Sequence, residues 1–186
     1  SFYEYLEAID ESRLLEKINA MEVNDFYHGI LTGHFQDYTV IGGMPEIVQK
    51  YVNTKDLVSL GSIYQSLIAG YNDDVEKYAT SSAGVNYIRH IIRTGMNYAG
   101  QRIKFEKFGE SDYRSREMGE SFRLLEKTML IELVYPVSQT HFPLLPNFKK
   151  SPRLYWLDIG LVNYASGTQY EVFSSVDIGS AWRGIS

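Results

Sequence analysis

Residues 115–138 read SREMGESFRLLEKTMLIELVYPVS, and their periodicity changes halfway. Met118, Phe122, Leu125 and Met129 recur at spacings of four, three and four, which predicts an apolar helix stripe. Ser115 fits the N-cap, and Glu117 falls in the first turn, where the helix dipole favours a carboxylate. Arg116, Glu120, Arg123 and Lys127 fall on the opposite face. From Ile131 the period becomes two: Ile131, Leu133, Tyr135 and Val137 alternate with Glu132, Val134, Pro136 and Ser138, as in a half-buried strand. Pro136 cannot donate to a ladder, which predicts an edge strand. A second strand is expected at Leu154–Leu157 in RLYWLDIGL (153–161), after a loop holding Pro143, Pro146 and Pro152.

A helix followed by a two-stranded ribbon with a floppy tip has the outline of a winged helix, a binding module rather than an active site. The helix 115–130 is then the recognition helix, and Arg116, Arg123 and Lys127 are candidate DNA contacts. Upstream, a helix over 85–99 buries Val85, Ile88, Ile92 and Met96 and turns Arg89 and Arg93 outward as further candidates. Ile103, Phe105 and Phe108 alternate in a connector, and a short helical turn is expected at 110–114.

The first part of the chain reads as helical. One or two short helices cover 2–22, and Asn24 caps a helix to about Tyr38, with Tyr27, Leu31, Phe35 and Tyr38 on one face. Gly42 and Gly43 permit a tight turn, and Pro45 suits the first turn of the helix that follows. Asp56 opens a long helix to Tyr78, with a break or kink expected at 70–73. A boundary is expected at Thr80–Gly84. The predicted fold class is mainly α, a helical part over 1–80 and a winged helix with a small β-ribbon over 83–160.

The chain has 186 residues and no cysteine, which excludes disulfides and thiolate metal sites and fits a reducing cytoplasm, the expected compartment. No apolar run is long enough to span a bilayer, so no membrane partner is expected. Residues 1–86 hold 5 basic and 13 acidic residues, net −8, whereas 87–128 hold 9 and 6, net +3. A basic middle in an acidic chain is compatible with a phosphate-contacting face, although mixed charge also merely solvates helices. No glycine is followed by lysine, so the chain has no Walker A phosphate cradle. His28, His34, His90 and His141 lack metal-ligand spacing and are expected in structural or surface roles. Asp73, Asp74 and Glu76 read as a solvated turn in which Asp74 can pair with Lys77 or Tyr78.

Six stretches in order carry a resemblance: SFYEYL (1–6), GGMPE (42–46), Tyr71-x-x-Asp74-x-x-Lys77-Tyr78, Ile103-Lys104-Phe105, LLEK (124–127) and LYWLDIGL (154–161). Together they resemble the C-terminal part of bacterial and archaeal AAA-type P-loop ATPases that carry an uncharacterised C-terminal domain. The resemblance implies an upstream ATPase core that binds ATP and Mg, with residues 1–80 as the end of that core and a helical lid-like subdomain and 83–160 as the winged helix. Residues 161–186 would open a restriction-endonuclease-like segment, whose first helix WRGI (182–185) resembles. The opening residues look like the middle of a helical segment, so a cut-out piece of a longer protein is expected. The acidic and lysine motif of the later segment is absent, so this piece is assigned no nuclease activity and no enzyme function. The resemblance also implies that Gly42, Gly43 and Pro45 lie near the nucleotide base in the intact parent. The plain alternative is a helix-start turn. Two functions follow: a module that binds double-stranded DNA weakly or regulates the ATPase, or a protein-interaction module docking on the core or a partner chain.

Overall fold

The structure is a computed structural model that describes residues 1–79 and 81–169. Among these residues it is mainly helical, with eight α-helices and one two-stranded antiparallel sheet. Thr80, which opens the expected turn at 80–84, and the WRGI stretch lie outside the described residues, as does most of 161–186, while residues 82–84 already belong to a helix. The chain forms two compact units, Ser1–Ser66 with 158–169, and Leu67–Leu157.

The first unit begins with α1 (Phe2–Ala8), where Ser1 and Glu4 form a reciprocal capping box. After α2 (Ser12–Asn19), Asn24 caps α3 (Asp25–Ile41) by accepting from Tyr27 N–H at 3.1 Å. Leu6, Leu14 and Leu15 are buried together, with Tyr27, Ile30 and Leu31 of α3 packed against them. Gly42 ends α3 at φ 74°, a conformation that glycine adopts without strain. Pro45 opens α4 (Pro45–Thr54), where its missing N–H has no helical partner to lose. A 3₁₀ turn at Val58–Leu60 leads into α5 (Gly61–Tyr78), which runs through 70–73 without the expected break. Far along the chain, α8 (Ile159–Ala165) returns to this unit and packs on α3.

In the second unit, Ser81 caps α6 (Ser82–Gly95), which a 3₁₀ turn extends only to Tyr98. The expected helical turn lies earlier, at Phe108–Glu110, where Gly109 and Glu110 both have positive φ. Then come α7 (Ser115–Lys127), β1 (Ile131–Val134) and β2 (Arg153–Trp156). Ile131 pairs with Trp156 and Val134 with Arg153, and Arg102 makes an isolated antiparallel bridge to Arg153. Ile88, Ile91, Ile92, Ile103, Phe108, Met118, Phe122, Leu125, Ile131, Leu133 and Leu154 form one core. Phe122 is the centre of its aromatic packing, stacked on Phe105 at 5.2 Å and edge-on to Phe108 at 4.9 Å.

Two expectations about α7 are corrected. Ser115 is the first helical residue, with the extended Arg114 at the cap position, and Glu106 Oε2 accepts from the Ser115 N–H at 2.8 Å. Met129 is 77% exposed. The helix ends at Lys127 and Met129 turns to φ 60°, which takes it off the stripe that Met118, Phe122 and Leu125 keep buried. Three contacts span the ribbon tip. Asn147 N–H reaches Pro136 carbonyl at 2.8 Å, Gln139 Nε2 reaches Pro143 carbonyl at 2.7 Å, and Val137 bridges Pro146.

Candidate functional site

The outer face of α7 follows from its buried face. With Met118, Gly119, Ser121, Phe122 and Leu125 turned inward, Arg116, Arg123 and Lys127 stand exposed on the same unit. Arg116 is not wholly available, since its Nε lies 3.3 Å from Glu120 Oε1. In α6, Arg93 is exposed, while Arg89 is half-exposed and binds Glu76 at 2.9 Å. Among the described residues Arg93, Arg123 and Lys127 have no ion-pair partner. The structure therefore gives five cations on two helices of one unit, two of them paired with carboxylates.

The acidic cluster after Tyr71 is occupied with bases: Asp74 pairs with Lys77 and Glu76 with Arg89. His90 is buried and its ring nitrogen meets Phe108 carbonyl at 2.9 Å, a structural contact. His34 lies 3.5 Å from Glu11. Among the described residues no group of three or more His, Cys, Asp or Glu converges to hold a metal. No described helix is long and apolar enough to cross a membrane.

The Gly42-Gly43 turn sits in a second polar constellation, in the first unit. Gly43 N–H donates to Asp158 Oδ2 at 2.7 Å, and Leu161 N–H donates to Asp158 Oδ1 at 3.0 Å. Asp158 thus caps α8 and holds the turn after α3 with one carboxylate. Burial pushes its carboxyl above the usual range, against the opposing pull of the backbone N–H groups of Gly43, Leu161 and Gly160. The last carbonyls of α3, which have no helical donor, are also met from outside the helix. Asn163 Nδ2 donates to Thr39 at 2.9 Å and to Val40 at 3.2 Å, and Tyr64 hydroxyl donates to Ile41 at 2.6 Å. A Cβ on Gly160 would stand 2.0 Å from Ile41 carbonyl oxygen, and one on Gly42 would stand 2.2 Å from Asp158 Oδ1. Pro45 is exposed at the start of α4. Asp158 and Asn163 were not singled out by sequence, although Asp158 lies inside LDIGL, where an Asp before a helix is a cap signal.

No curated protein and no solved structure matches the chain. The pattern of a domain of unknown function, DUF8612, matches residues 32–171, a span that takes in the Gly-Gly turn, α6, α7, the ribbon and α8. With well over half of its length matched, the chain belongs to the DUF8612 family.

Proposed function

We propose that this chain is the lid and winged-helix part of an AAA-type ATPase, and that its second unit is a winged helix that contacts double-stranded DNA weakly through α7. In the intact parent an upstream core would bind ATP and Mg, with Gly42, Gly43 and Pro45 near the base. The observation that carries the DNA reading is the pairing of α7's buried stripe with an outward Arg123 and Lys127 beside Arg116. The order of elements adds support: α6, an extended bridge at Arg102, a 3₁₀ turn, α7, then the β1–β2 ribbon with β2 between β1 and Arg102. We read that order as a winged helix in which a 3₁₀ turn stands where the helix before α7 would lie, and α7 as its recognition helix.

Glu117 and Glu120 on the same helix oppose phosphate approach, so affinity should be micromolar or weaker. With three or four phosphates neutralised, the logarithmic salt slope should be roughly −3. Fluorescence anisotropy on a labelled duplex at low salt tests this. Arg116→Ala, Arg123→Ala and Lys127→Ala combined should abolish binding. Absence of wild-type binding at low salt would remove the DNA reading. The chain alone should show no micromolar ATP affinity by calorimetry, because it lacks the phosphate cradle. The second reading, a protein-interaction module, is favoured by the exposed apolar side chains at the ribbon tip.

A further inference from the structure

Two loops of this chain hold large apolar side chains in water, and the charge around them is of opposite sign. The first is the loop between β1 and β2. Phe142 is 86% exposed, Phe148 74% and Leu145 61%. Residues 133–157 contain no Asp or Glu but carry Lys149, Lys150 and Arg153. The loop's backbone is tied by the bonds at Asn147 and Gln139, and Tyr135 supports the Phe148 ring from 4.9 Å.

The second is the turn between α2 and α3, in the other unit. Met21 is 92% exposed and Phe26 70%, with Val23 also exposed between them. Around this turn residues 16–25 carry Glu16, Glu22 and Asp25 against Lys17, a net of −2. This turn is equally well held. Met21 N–H bonds Ile18 carbonyl at 3.0 Å, Lys17 pairs with Glu22 at 2.7 Å, and Asn24 caps α3. Neither patch is explained by the proposed DNA contact, which uses α6 and α7.

We infer that these patches bind each other between copies: the basic, apolar β1–β2 loop of one chain docks on the acidic, apolar α2–α3 turn of the next. Apolar side chains meet apolar side chains, and Lys149 and Lys150 face the carboxylates around Glu22 and Asp25. Because the two surfaces differ, the contact is head-to-tail. Each docked pair keeps one free patch of each kind, so association continues until a ring closes or a chain of copies grows. An anionic bilayer would suit the β1–β2 loop alone, with lysines at the headgroups, but would repel the acidic turn. A second copy satisfies both patches at once. A contact made by one loop and one turn belongs among weak, transient interfaces, with micromolar affinity.

Sedimentation velocity on the purified chain, from micromolar to near-millimolar concentration, reads the association directly. Average mass should rise with concentration and fall with added salt. Phe142→Ser with Phe148→Ser, and separately Met21→Ser with Phe26→Ser, should each weaken association at least about tenfold. Mixed together, the two variants should pair and stop at a dimer, because each retains the patch the other lacks. Lys149→Glu with Lys150→Glu should abolish association, and mixing with Glu22→Lys plus Asp25→Lys should restore it. A wild-type chain that stays monomeric throughout overturns the inference. So does a mixture of the two serine variants that fails to pair, or association unaffected by the lysine substitutions. Flotation with phosphatidylserine vesicles provides the other arm. A monomeric chain that floats through Phe142 and Phe148 would make the bilayer the occupant instead.

Discussion

The junction of α3 with α8 and the loop between β1 and β2 handle their difficult groups in opposite ways. At the junction, Asp158, Asn163 and Tyr64 give partners to the N–H of Gly43 and to the carbonyls of Thr39, Val40 and Ile41. Glycine occupies the positions where any Cβ would collide. In the loop, Asn147 N–H bonds Pro136 carbonyl and Gln139 Nε2 bonds Pro143 carbonyl, yet Phe142, Leu145 and Phe148 face solvent. Saturated polar groups and tight glycines hold a fold together. Ordered apolar side chains left in water are what a binding surface keeps available. Substitutions should therefore damage the junction through stability and the loop through association.

The largest effect should come from Gly160→Ala. The new methyl would meet Ile41 carbonyl oxygen, and backbone can yield only by separating α8 from α3. A loss of at least about 3 kcal/mol is expected in chemical denaturation. A variant as stable as wild type would break the contrast, since the junction would then be soft.

Asp158→Ala comes next. It removes a helix cap and leaves a Gly43 N–H without its acceptor, which should cost about 2–4 kcal/mol. The pH dependence sharpens the test. Because burial raises the folded-state pKa of Asp158, the folded protein holds this proton more tightly than the unfolded chain does. Its contribution favours folding fully below the unfolded pKa and is lost as pH rises through the folded one. Tyr38 and Tyr64 lie close enough to feel this charge, and their hydroxyl pKa values are raised mainly by burial. Asp158→Asn should remove this component, so its stability relative to wild type should improve as pH rises through that window. Parallel stability–pH profiles for the two proteins would refute the assignment.

The smallest stability effects should be those at the exposed positions. The triple substitution of Arg116, Arg123 and Lys127 should leave the melting temperature nearly unchanged while removing duplex binding; loss of the fold would mean that the buried face of α7 is misassigned. Phe142→Ser should alter unfolding free energy by no more than about 0.5 kcal/mol, checked by urea titration. A large loss there would place Phe142 in a core and erase the difference between the two regions.

Local pattern made much of this architecture legible. The stripe Met118, Phe122, Leu125 recurs at helical spacing and the pair Ile131, Leu133 at strand spacing, and both face the core of the second unit. Asn24 before an apolar-periodic run and Pro45 after two glycines announced helix starts, because capping and fixed φ depend on a few neighbouring residues. Met129 shows the limit. Its spacing fits the stripe, but the helix ends before it, and helix ends depend on what can bond the last carbonyls. The candidate cations were visible as residues; their pairing with Glu76 and Glu120 was not, since side-chain conformation decides it.

What the sequence determined by itself is the outline of α1 to α7 and the two strands but not α8, the α7 stripe as far as Leu125, the lack of a phosphate cradle and the segregation of charge along the chain. These rest on neighbours within a few residues. Only the tertiary structure decided that α8 returns to α3 across more than a hundred residues, so that Asp158 meets Gly43 and Asn163 meets Thr39. It also decided that the apolar residues of the β1–β2 loop stay outside. Both outcomes depend on which distant surfaces find room to pack, and no local pattern carries that information.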